Sequence, residues 1–406
     1  MNILSDSSIN YDLTTVLDIN MINNPKKDII EKSGEFLHKQ WLHNNKTYNI
    51  IKYNKKYYNN SNNKNGLCRS IIFSNGKINV FSPPKAINYV EFINTYTIHE
   101  CHGEEIIEGT MINIFYDDDN GWNIATKTSV GGKIRYFQDQ ENFNVLFDEI
   151  CKKIDLNINN FDKNYMYSLV MQHPKNKFVL PINDMRLYLI AIYKIEDTIV
   201  REIPRERYNE LQLDHQFSKL WFPYRFYIES YEKLMHAFGT MNTDINSVGV
   251  MIKTFTGVRS KIVNPGYKYI KDLRGNNCKL LFQYLSLRKD DKVKEYLNFF
   301  PESNKIFSEF RKNIHNFTQA LFDNYISCYI KKEAPLLNFP YKYRTHMYNL
   351  HQYYLSIKVQ NGYINKMVVI DYINKLEPAI LMYALNYDLR EFGKIQLNEN
   401  NENNEK

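Results

Sequence analysis

Residues 101–130 read CHGEEIIEGTMINIFYDDDNGWNIATKTSV. Two runs rich in β-branched and aromatic residues, TMINIFY (Thr110–Tyr116) and WNIATKTSV (Trp122–Val130), flank DDDNG at Asp117–Gly121. Such side chains pack well on a pleated surface, and an Asn-Gly pair accepts the positive φ of a tight turn. The stretch therefore predicts an antiparallel hairpin. Working outward, RSIIF (Arg69–Phe73), INVF (Ile78–Phe81), VEFI (Val90–Ile93), KFVLPI (Lys177–Ile182) and LYLIAIYKI (Leu187–Ile195) read as further strands. One helix near Phe143 to Ile154 interrupts them.

Beyond this β-rich region the period changes. From Lys219 to Lys271 helix and strand mix, with a helix around Tyr227–Phe238 and a strand at Val248–Thr254. Within Ser303–Lys332, Phe307, Phe310, Ile314, Phe317, Leu321 and Tyr325 recur at steps of three and four, which gives one apolar helix face between Pro301 and Pro335. Further helical pattern runs over Tyr343–Ile357 and Pro378–Leu389. At the other end, Ile29, Ile30, Phe36, Leu37 and Trp41 predict one amphipathic helix from Lys26 to Leu42. The Asn-, Lys- and Tyr-rich stretch from Tyr53 to Gly66 reads as a surface connection. The expected domains are residues 1–64 (helix and polar connection), 65–274 (β-rich), 275–395 (helical) and a disordered tail, 396–406.

The chain has 406 residues with 43% hydrophobic and 24% charged content, within the range of folded globular proteins. Its 52 basic and 45 acidic residues leave +7, compatible with a polyanionic partner. Five scattered cysteines imply no disulfide framework. The longest clean apolar run, Leu187–Tyr193, is far short of the roughly 20 residues that span a bilayer. Met1–Asp12 carries no apolar signal core, so an intracellular location without membrane attachment is expected. The preference for Asn, Lys, Ile and Tyr suits an AT-rich genome, such as that of a protist or a large DNA virus; for a virus the site would be the host cytoplasm.

Other constellations resolve to ordinary roles. His99, Cys101 and His102 lack a second ligand pair for zinc, and His346 and His351 do not share a helix face. Asp117–Asp119 lack the spaced oxygens and distal Glu of a calcium loop. Lys331–Tyr354 mixes cations with tyrosines, the chemistry of a single-stranded RNA surface, against helix packing as the default reading. No phosphate-loop or dinucleotide-binding glycine pattern occurs.

Six segments fall in a telling order: RSIIF (Arg69–Phe73), SPPKAINYVE (Ser82–Glu91), EGT (Glu108–Thr110) with KTS (Lys127–Ser129), PKNKFV (Pro174–Val179), VGV (Val248–Val250) and RSKIVNPGY (Arg259–Tyr267). Over roughly residues 65–270 this order resembles the bacteriophage T4-type RNA ligase 1 family of covalent nucleotidyltransferases, the superfamily of DNA ligases and mRNA capping enzymes. The resemblance implies an α+β fold, a nucleotidyltransferase (ATP-grasp-like ligase) core of antiparallel sheets followed by an all-helical C-terminal domain. It also implies ATP and Mg as cofactors of an active member, and an RNA partner, single-stranded or tRNA-like. In the family a lysine opening a Lys-x-Asp-Gly motif attacks the α-phosphate of ATP, and the AMP then passes to a 5′-phosphorylated RNA end.

Here the matching tetrad is Ile106, Ile107, Glu108, Gly109, so isoleucine stands at the nucleophile position. The acids of two later motifs fall on Val170 and Val248. Three polar positions turned apolar describe a pocket that no longer binds a magnesium triphosphate, hence a degenerate, RNA-binding member. Glu108 and Gly109 remain of the catalytic motif, and Lys85 is the candidate substitute lysine. Arg69, Thr110, Lys127, Arg259 and Lys261 are the candidate nucleotide- or phosphate-binding positions, and no residue is assigned to a metal. The alternatives are an active ATP-dependent RNA ligase using Lys85 or another lysine, and a non-enzymatic scaffold or virion-associated protein.

Overall fold

Strands β7 (Thr110–Asp117) and β8 (Gly121–Ala125) pair antiparallel from Asn113↔Ala125 to Asp117↔Gly121, the hairpin read from the sequence. Asp117 Oδ1 closes its turn by accepting the N–H groups of Asp119 and Asn120 at 3.0 and 3.1 Å, while Gly121 takes φ +68°. The turn's acids are neutralised by lysines. Lys46 Nζ lies 2.8 Å from Asp117 and 2.7 Å from Asp119, and Lys77 Nζ lies 3.0 Å from Asp118.

The computed structural model describes residues 9–58, 63–135, 141–211, 217–275 and 279–392. The chain divides into two units, Met1–Asp272 and Leu273–Lys406. Unit one holds three antiparallel sheets. The first has six strands in the order β1 (Ile9–Asp12), β11 (Ile199–Glu202), β10 (Arg186–Glu196), β9 (Tyr165–Gln172), β7, β8. The second runs β12 (Arg225–Phe226), β6 (Cys101–Glu105), β13 (Gly249–Thr254), β14 (Arg259–Val263). The third runs β2 (Phe36–His43), β3 (Lys46–Tyr53), β4 (Ile71–Ser74), β5 (Lys77–Phe81).

Alternation along the strands sorts side chains into cores. On β7, Phe115 joins Ile50, Ile72, Val80 and Phe81 of the third sheet, while Ile112 and Ile114 face Leu146, Phe147 and Ile150 of the helix Phe143–Lys153. A third core packs Phe92 and Leu234 against Val250, Ile252 and Ile262 of the second sheet. Each such side chain contributes about 1.5–3 kcal/mol on leaving water. Unit two is helical throughout its described residues. Phe307, Ile314, Phe317, Leu321 and Tyr325 form the buried stripe of Asn304–Tyr325. On Tyr341–Ile357, Tyr343 and His346 are buried, His346 Nδ1 lying 2.8 Å from the Tyr372 hydroxyl.

Three expectations need correction. Residues 26–42 are not one helix: a single turn, Lys27–Ile30, precedes β2, which pairs with β3 from Phe36↔Tyr53 to His43↔Lys46. Asn44 and Asn45, at φ 48° and 61°, supply the left-handed two-residue turn that joins them. β3 pairs in turn with β4, so the third sheet takes strands from both sides of residue 64. VEFI lies in the helix Tyr89–Thr95, whose N-terminus is capped by Asn88 Oδ1 accepting the Val90 N–H at 2.8 Å. KFVLPI is a loop, its backbone held by a side chain described below. The tail 396–406 lies outside the described residues.

Candidate functional site

Backbone and side-chain hydrogen bonds staple the basic segments side by side. Arg69, at the end of a helical turn before β4, donates through Nη1 to Pro83 O at 3.3 Å. The Lys85 N–H donates to Gly66 O at 3.0 Å, and Ser70 Oγ to Lys127 O at 3.0 Å. Further along, the Ile87 N–H reaches Arg259 O at 2.7 Å, and Ser260 Oγ returns a bond to Ile87 O at 3.1 Å. Arg69, Lys85, Lys127, Arg259 and Lys261, scattered in the sequence, thereby become one cluster.

Its charges act on one another. Burial, then Arg69, Lys52, Lys55 and Lys85, push the Lys127 ammonium down to about 8. Burial and Arg259 bring Arg69 down to about 10. Lys85 is lowered by burial, then by Lys261 and Lys55; Lys261 is lowered by burial, then chiefly by Lys271 and Arg69. Among the described residues, Arg69, Lys85, Lys127 and Lys261 have no carboxylate ion-pair partner. Tyrosine faces supply part of the missing compensation. Lys85 Nζ lies 3.5 Å from the Tyr58 ring centre, and Lys127 Nζ 5.4 Å from that of Tyr53. Cations gathered without counter-charge can take a multivalent anion, whose binding would remove the mutual repulsion.

The remaining sequence candidates meet in a second neighbourhood. The Ile106 N–H donates to Gly249 O at 3.2 Å, which sets Ile106 beside the Val248–Gly249 step. Gly249 must be glycine, since a Cβ there would stand 2.1 Å from Ile262 O at φ +136°. A Cβ on Gly109 would meet Met171 O at 2.5 Å and Val170 Cγ1 at 2.7 Å, so Val170 packs against the Glu108–Gly109 step. Val170 and Val248 are each 7% exposed, and Ile106 is half-buried.

Glu108 is buried, and its Oε1 accepts the N–H groups of Phe178, Val179 and Leu180 at 3.2, 2.9 and 3.1 Å. This carboxylate, rather than strand pairing, takes up the backbone of KFVLPI. Oε2 is buried and, among the described residues, accepts no hydrogen bond, while burial, then the Glu108 carboxylate, push the Tyr267 phenol well up. Thr110 Oγ1 accepts from Asn176 Nδ2 at 2.7 Å. Glu108 and Thr110 thus hold the loop after β9.

Among the described residues, no three or more His, Cys, Asp or Glu gather. Nor, among the described residues, is any helix long and apolar enough to cross a membrane.

Sequence reasoning missed two features. Lys52, and Tyr53, Lys55 and Tyr58 of the stretch read as a surface connection, border the cluster. A buried charge network spans β6, β12 and β13: Glu104 lies 2.5 Å from Lys253, 3.1 Å from Arg225 and 3.5 Å from His102. Burial opposes ionisation of Glu104, but Lys253 and His102 outweigh it and hold the carboxyl far below its usual range. The only sequence signal was a lysine in an otherwise apolar strand.

No family model and no curated protein matches the chain. Solved structures of similar chain path include an archaeal ATP-dependent RNA ligase (form 2), 14% identical over 72% of both chains with a TM-score of 0.42. A putative ATP-dependent DNA ligase from Aquifex aeolicus is 13% identical over 75% of this chain and 76% of that one, with a TM-score of 0.36. An RNA ligase from Naegleria gruberi, solved with PPi, is 12% identical over 42% of this chain and 52% of that one, with a TM-score of 0.32.

Proposed function

We propose that this chain carries an RNA ligase-like nucleotidyltransferase core that binds the phosphates of RNA and no longer forms a lysyl-adenylate. The observation that carries the reading is the cluster of Arg69, Lys85, Lys127 and Lys261, drawn together without carboxylate partners. Cations of this kind supply affinity for a phosphate backbone without sequence preference. Loss of catalysis is supported by apolar side chains at Ile106, Val170 and Val248, which offer neither an attacking amine nor an acid for a metal.

The reading predicts salt-dependent binding of single-stranded RNA. For a single strand, log K falls against log salt with a slope of about −0.7 per phosphate neutralised. Arg69→Ala should therefore weaken binding of all sequences alike and reduce the slope by about 0.7. RNA that fails to bind at low salt, or binds without salt dependence, favours the scaffold alternative.

A second reading has one observation in its favour. Lys127, pushed down to about 8, is the amine of the cluster nearest to being a nucleophile at neutral pH. An active enzyme built on it, or on Lys85, would attack ATP and form a covalent adduct, which the first reading forbids.

A further inference from the structure

A cleft of about 540 Å³ opens beside β6 and β10, its lining, which includes Glu105, Tyr188, Arg205, Trp221, Phe222, Tyr224 and Arg225, sharing no residue with the cation cluster. Its size falls within the roughly 300–1,000 Å³ of small-ligand sites. The backbone fixes its walls. The Trp221 N–H donates to Leu187 O and the Leu189 N–H to Trp221 O, both at 2.8 Å, and this bridge sets the Tyr188 and Trp221 rings 6.2 Å apart. On the other side the Glu105 N–H donates to Tyr224 O at 2.8 Å, and the Tyr224 N–H to Glu105 Oε2 at 3.3 Å.

Rings of this size usually bury most of their area, yet Trp221 is 51% and Tyr224 66% exposed. Cations already lie on two of the rings. The Arg186 guanidinium is 4.4 Å from the Trp221 ring centre and that of Arg205 is 4.5 Å from Phe222. Arg186 is paired with Asp184, and the neighbouring Arg225 with Glu104 and Glu206. Arg205 donates to Pro223 O at 2.9 Å and, among the described residues, has no carboxylate ion-pair partner.

This chemistry selects the occupant. Arg205, on the Phe222 ring and without a carboxylate ion-pair partner among the described residues, repels a cationic ligand, while the Glu105 carboxylate of the lining is engaged by the Tyr224 N–H, so the cleft is not a cage for a methylated amine. A flat neutral ring joined to an anion fits: the ring stacks on the exposed Trp221, which the buried Tyr188 backs, and the anion faces Arg205. We propose that the Tyr188–Trp221 cleft stacks an unpaired nucleobase of a single-stranded nucleic acid, with the adjoining phosphate on Arg205. The proposal rests on nucleic acid being the partner, and it adds a base-reading site to the sequence-blind cation cluster.

The test uses the full chain, titrated with adenylate oligomers of about ten nucleotides, RNA and DNA, and with abasic oligomers of equal length and the same sugars. Base-bearing strands should bind about five- to a hundredfold more tightly than abasic ones and quench tryptophan fluorescence. Trp221→Ala should bring that ratio close to one, Trp221→Phe should retain part of it, and Arg69→Ala should weaken every oligomer while keeping the ratio. Which sugar shows the preference identifies the strand. A wild-type ratio near one, or a ratio untouched by Trp221→Ala, overturns the stacking site and leaves the cation cluster standing. Failure of every oligomer to bind overturns both.

Discussion

At the scale of single residues, Glu108 and Lys127 carry the most. Glu108→Ala leaves the N–H groups of Phe178, Val179 and Leu180 without their acceptor, at about 1–3 kcal/mol for each that stays buried. Denaturant unfolding should show a loss of several kcal/mol, with earlier proteolysis in 177–182, whereas Glu108→Gln keeps an acceptor and should lose less. Lys127 gives a pH signature. Its free ammonium, pushed down to about 8, is stabilised by a bound anion, so binding takes up a proton above that pH. RNA affinity should therefore be fully present below pH 8 and fall as pH rises through it. Lys127→Arg should remove the decline, because guanidinium stays charged across that window. An unchanged decline in the variant would assign it to another group.

Among the elements, those whose period and turn chemistry agree were legible. The β7–β8 hairpin carries branched and aromatic runs on both sides of Asn-Gly, and the buried stripe of Asn304–Tyr325 repeats at helical spacing. Elements decided by one capping or turn residue were not. Ile29, Ile30 and Phe36 fit a helical stripe by chance, while Asn44 and Asn45 set a hairpin that their neighbours do not announce. In VEFI, Asn88 outweighed β propensity. Asn88→Ala should cost about 1 kcal/mol through loss of the cap on Tyr89–Thr95, a shift that thermal denaturation can read. The candidate site was half legible for a similar reason. Its cations were visible in matched segments, but only tertiary folding brings Lys52, Tyr53 and Tyr58 to them or pairs Glu104 with Lys253.

Over the whole molecule, a net charge of +7 understates the local field. Acids neutralise lysines at the DDDNG turn and in the Glu104 network, yet the Arg69–Lys127 cluster is left bare. This distribution suits the proposed role, in which uncompensated cations hold phosphate and no lysyl-adenylate forms. Covalent labelling tests that account most directly. The full chain is incubated with ATP labelled at the α-phosphate and magnesium or manganese, then denatured and resolved on a gel. The account predicts no label on the protein; a band that survives denaturation and is lost in Lys127→Arg or Lys85→Arg would contradict it.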